Sequence, residues 1–114
     1  MAKRRVLTEF GMGTSLRRQD YTQAAARAVQ DALWHNSINM AELFGFPKEA
    51  MLVDVEIAVQ APDQVNVAQL GEKFPYGQIS FQVVHGGLDV PRVDGLPTVI
   101  ANAAISVSFD MEEV

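Results

Sequence analysis

The stretch Phe10-Gly-Met-Gly-Thr-Ser-Leu-Arg-Arg-Gln-Asp20 joins a short apolar strand to a strongly marked helix through a glycine-rich bend. Gly11 and Gly13 let the backbone approach a bound group closely, and the helix start that follows offers unpaired N–H donors. Upstream of the bend, Val6 to Phe10 is expected to be the strand, with Val6, Thr8 and Phe10 on one side and Leu7 and Glu9 on the other. Downstream, Asp20 stands at an N-cap position with Gln23 three residues on, as in a capping box. Tyr21 to Trp34 then keeps helical spacing. Tyr21, Ala25, Ala28 and Ala32 lie along one stripe with Val29 and Leu33 beside it, while Gln23, Arg27, Gln30 and Asp31 fall opposite. An alanine stripe of this kind permits close packing on a sheet.

Beyond this helix, Asn36 to Lys48 is an irregular connection broken by Gly45 and Pro47. Met51 to Val59 alternates, with Met51, Val53, Val55, Ile57 and Val59 on an apolar side and Leu52, Asp54, Glu56 and Ala58 on the other. Val65 to Phe74 is expected as a short helix ended by Pro75-Tyr-Gly77. Two more strands, Gln78 to His85 and Thr98 to Phe109, flank a turn-rich loop containing Gly86, Gly87, Pro91, Gly95 and Pro97. The order is β-α-β-α-β-β, an α+β two-layer sandwich with two helices on one face of a four-stranded sheet. The second sheet face carries small or mildly polar residues, among them Ser80, Gln82, Asn102, Ala104, Ser106 and Ser108. Burial against identical subunits accounts for that composition better than open solvent does.

At 114 residues the chain is expected to be one domain over 1–114 with one core. With 48% hydrophobic and 20% charged residues it is globular in composition and not disordered. It has no cysteine, which excludes disulfides, thiolate nucleophiles and zinc ribbons. The net charge of -5 opposes binding to nucleic acid, although Lys3, Arg4, Arg5 and Arg17, Arg18 form local basic spots. No apolar run approaches a bilayer span, and Met1-Ala-Lys-Arg-Arg5 leads into a strand and not into a signal-peptide core, so a cytoplasmic location and no membrane partner are expected.

The run from Gly11 to Leu16, then Gln19 to Ala32, Asn36-Ser37, Pro75-Tyr-Gly77 and Asp89-Val-Pro-Arg-Val-Asp-Gly95 resembles a family of small conserved hypothetical proteins over essentially the whole chain. More distantly, the glycine bend, the alanine-rich helix and the strand ending near Pro62 resemble one repeat of the ring-opening amidohydrolases, the cyanuric acid hydrolase and barbiturase group. The element order is also similar to the chorismate mutase fold of bacilli. Both resemblances imply a homotrimer with ligand sites in clefts between subunits. In the amidohydrolases a Ser–Lys pair recurs in each repeat, and the best-matching positions here are Gln60 and His85, so the resemblance implies that the hydrolytic pair is missing.

The candidate chemistry is therefore sparse. His85 precedes Gly86-Gly87 at a strand end, where an imidazole beside exposed backbone donors suits a general base. A histidine that merely ends a strand is the competing reading. Gly11, Gly13, Ser15, Gln60, Lys73, Gly86, Gly87 and Arg92 are the candidate ligand contacts, with Arg92 able to clamp a carboxylate or imide oxygen. For Gly11 and Gly13 close helix–strand packing is an equal alternative, and Ser15 lacks the spacing of a nucleophile elbow. Asp54 and Glu56 share a strand face but no further ligand has metal-binding spacing, and His35 in the last helical turn suits the helix dipole. No cofactor and no metal are expected. Two functions follow: binding of a small polar or cyclic-amide metabolite in inter-subunit clefts, with acid–base chemistry at His85, or a non-catalytic oligomeric structural or regulatory module.

Overall fold

The computed structural model describes residues 2–34, 50–72, 74 and 77–111. Five strands form one mixed sheet among them: β1 (Ala2–Ser15), β2 (Leu52–Val59), β3 (Gln78–His85), β4 (Leu88–Val90) and β5 (Thr98–Met111). The order is β1-β5-β2-β3, with β4 also paired to β5. Only β2 and β3 run parallel; β5 is antiparallel to β1, β2 and β4. Helix α1 (Tyr21–Trp34), a 3-10 turn (Pro62–Gln64) and helix α2 (Val67–Gly71) complete the described elements. This is the expected α+β class, with a fifth strand where a loop alone was expected and a second helix shorter than Val65–Phe74. Asn66 starts α2 by accepting from the N–H of Ala68, which is why the helix begins two residues later than periodicity suggests. The expected irregular segment Asn36–Lys48, and His35 with it, lies outside the described residues.

The glycine-rich segment is a correction. No bend interrupts Phe10-Gly-Met-Gly-Thr; β1 runs through it, pairing Gly11 with Ala103 and Gly13 with Ala101 of β5. The glycines are there because α1 lies almost on the strand. A Cβ at Gly11 would come within 2.2 Å of the Ala28 carbonyl oxygen, and one at Gly13 within 2.2 Å of the Ala28 amide nitrogen. Ala24, Ala28 and Ala32 supply the other half of the fit, each fully buried. Small residues on both partners bring the backbones together, and dispersion contacts then accumulate over the whole helix.

Side chains from α1 also close part of the free edge of β1. The Met12 amide donates to Asp31 Oδ2 at 2.9 Å, and Arg27 Nη1 donates to the Thr14 carbonyl at 2.7 Å. Two backbone groups that an incoming strand would use are thereby occupied. A register shift between Arg5 and Leu7 adds a bulge lower on the same strand.

The core lies between α1, α2 and one sheet face. Val53, Val55, Ile57 and Val59 from β2 meet Val99, Ala101, Ala103, Ile105, Val107 and Phe109 from β5, as the alternation predicts. Leu70 closes it from α2, and Phe74 packs edge-to-face on Phe81 at 5.9 Å. Burying a side chain such as Phe109 or Ile57 contributes about 1.5–3 kcal/mol each, so this layer carries the fold.

Candidate functional site

The sequence candidates fall into separate places. Gln60, His85, Gly86 and Gly87 come together at the carboxyl ends of the parallel pair, where Val59 is paired with His85. Gln60 Nε2 donates to the carbonyls of Gly86 at 2.9 Å and Gly87 at 3.1 Å. The glycine pair moves the chain sideways over the end of β2, so that β4 continues beside β5 where β2 leaves off. That crossing is tight: Gly87 has φ +62, and a Cβ on it would lie 2.3 Å from the Ile100 carbonyl oxygen. The His85 side chain is exposed beside this crossing.

Gly11, Gly13 and Ser15 sit instead under α1. Ser15 is fully buried and its Oγ accepts from the Asp20 amide at 3.1 Å, while Asp20 Oδ1 caps the helix by accepting from the Gln23 amide at 3.0 Å. The N-cap is the expected one, but the Asp20 N–H turns to Ser15 and not to the Gln23 side chain of a capping box. Arg92 is in the Pro91–Pro97 loop, 3.6 Å from where a Cβ on Gly95 would stand. Lys73 and Tyr76 lie outside the described residues.

Sequence reasoning missed a polar contact in the core layer. Tyr21, read only as part of the helix stripe, is buried and its hydroxyl donates to Asp89 Oδ2, while Gln19 Nε2 donates to the same hydroxyl at 3.2 Å. Asp89 Oδ1 is buried without a hydrogen-bond partner among the described residues. Burial, and then the hydrogen bond to Asp89, push the Tyr21 hydroxyl pKa up, against a smaller opposing effect of Gln19. The only local signal was parity. That parity runs against the usual rule: in Leu88-Asp-Val90 alternation alone would turn the two apolar residues to the core, and it is the pairing of Asp89 with core-facing Val99 that puts the acid there.

The sheet face away from the helices holds a shallow hollow of about 510 Å³ lined by Arg5, Asp54, Glu56, Ser80, Gln82 and Ser106, among others. Cross-strand register aligns Thr8, Ser106, Asp54 and Ser80 in one row across it. Lys3 Nζ pairs with Asp54 Oδ2 at 2.7 Å and Ser80 Oγ donates to Oδ1 at 2.7 Å; these two contacts hold the Asp54 carboxyl below its usual range. Phe10, Met12, Leu88 and Val90 stand on the same face at 70%, 56%, 59% and 41% exposure. No group of three potential metal ligands occurs among the described residues, and no described helix is long and apolar enough to cross a membrane.

Fold and surface together define a two-layer α+β protein with one helix-covered sheet face and one open one. The chain belongs to the Lin0512 family of conserved hypothetical proteins, whose family profile matches residues 5–107. Among solved structures it is similar to an FtsZ-like protein of unknown function from Nostoc punctiforme. The two are 30% identical, the match covers 97% of this chain and 99% of that one, and the TM-score is 0.87. No curated protein matches.

Proposed function

We propose that this chain is a non-catalytic assembly module, a homo-oligomer built through its open sheet face, with three copies the number that the resemblances imply. The observation that carries this is the grouping of Phe10, Met12, Leu88 and Val90, all exposed, on a face whose remaining residues are largely small or uncharged. Exposed apolar residues gathered on one sheet face beside a polar area are the pattern of an interface. The dispersal of the candidate ligand contacts supports the same reading. Gly11 and Gly13 face helix backbone, the Ser15 hydroxyl is engaged by an amide, and Gln60 is engaged by the glycine turn.

Light scattering after size exclusion tests the proposal. The wild type is expected to elute as an oligomer at micromolar concentration, and Phe10→Asp with Leu88→Asp as a monomer with an unchanged circular dichroism spectrum. A wild type that stays monomeric overturns it.

A metabolite site is the second reading, favoured by the position of Gln60 and His85 at the carboxyl ends of parallel strands, where ligands of open sheets commonly bind. Under this reading, His85→Ala weakens any ligand found in a thermal-shift screen. Ring-opening hydrolysis is not expected, because a glutamine amide cannot replace a lysine base.

A further inference from the structure

We propose that Arg17, Arg18 and Arg27 form a binding site for a small phosphate-bearing anion. These three are among only nine lysines and arginines in a chain of net charge -5, yet they line one hollow of about 300 Å³ together with Ser15, Leu16 and Gln23. Concentrating a third of the basic residues around one concavity runs against the overall charge of the molecule. Arg17 and Arg18 are exposed and make no hydrogen bond or ion pair among the described residues, so their N–H groups face solvent.

Arg27 is held differently. Its Nη1 is tied to the Thr14 carbonyl, which fixes the guanidinium at the rim and leaves its other donors for a ligand. The nearby acids are committed to backbone amides: Asp20 accepts from Gln23 and Asp31 from Met12. Exposed Leu16 supplies an apolar wall to the hollow.

The chemistry of three guanidinium groups selects the ligand class. Each presents a planar fork that matches two oxygens of a carboxylate or phosphate. A single carboxylate satisfies one fork and carries one charge. A phosphate or diphosphate group offers several oxygens and about 1.5 or more negative charges, and so suits a hollow lined by three arginines. The site is remote from Gln60 and His85 in sequence and does not depend on the oligomer proposed above.

Isothermal titration with pyrophosphate at fixed ionic strength tests this, using wild type, the double variant Arg17→Gln/Arg18→Gln, and Arg5→Gln as a control arginine outside the hollow. All three sites of change are exposed, and folding is checked by circular dichroism. Binding by wild type and Arg5→Gln, with affinity at least about tenfold weaker in the double variant, is the expected result. No binding by wild type, or equal binding by the double variant, overturns the site. Binding of RNA or long polyphosphate without binding of pyrophosphate also overturns it, in favour of a general polyanion surface.

Discussion

Gly13 shows most directly how a single residue sets the architecture. Its missing side chain lets α1 settle on β1, and a Cβ would stand 2.2–2.6 Å from backbone atoms of Ala24, Arg27 and Ala28, none of which can yield without moving the helix. Gly13→Ala is therefore expected to cost about 3 kcal/mol or more, read as a lowered denaturant midpoint or a loss of folded protein. Gly71→Ala is the contrasting case. The nearest atom to its added carbon is a ring carbon of Phe81 at 4.0 Å, an ordinary contact, and a helical site favours alanine, so stability should hold or rise slightly. If both substitutions cost the same, close packing is not the role of Gly13.

At the scale of elements, the Tyr21–Asp89 contact fastens β4 to the start of α1. It joins residues 68 apart in sequence, and no other polar side-chain contact bridges these two elements among the described residues. The folded state raises the hydroxyl pKa, so it favours the neutral tyrosine. The stability this contributes is fully present below the unfolded tyrosine value of about 10 and is lost as pH rises through the higher folded value. Urea melts of the wild type should therefore show a falling midpoint above pH about 10. Tyr21→Phe should cost about 1–3 kcal/mol at neutral pH, by leaving Asp89 without its donor, and should flatten that alkaline decline. An unchanged decline in the variant would mean that another group titrates.

At the scale of the whole molecule, the sheet is covered on one face and open on the other. If the open face joins copies, folding and association are linked, and the melting temperature of the wild type should rise with protein concentration. Leu88→Asp should show a lower melting temperature that no longer depends on concentration. A concentration-independent wild type would leave the open face solvated and point to the metabolite reading. The Lys3–Asp54 pair is no substitute for such an interface, because an exposed ion pair contributes less than ~1 kcal/mol.

The sequence by itself determined the class of fold, the length and cap of α1, and which residues of β2 and β5 face the core. Each of these rests on local periodicity or on a cap motif, where the physical cause lies within a few residues. Only the tertiary structure decided that Gly11 and Gly13 continue a strand, because the reason for them is a helix that packs from more than ten residues away. Only it showed that Leu88-Asp-Val90 is a strand, since three residues carry too little pattern until β5 offers a partner edge. The candidate site followed the same division. His85 and the glycine pair were legible as a strand end, whereas the contact of Tyr21 with Asp89 and the gathering of Arg17, Arg18 and Arg27 around one hollow depend on how distant segments meet.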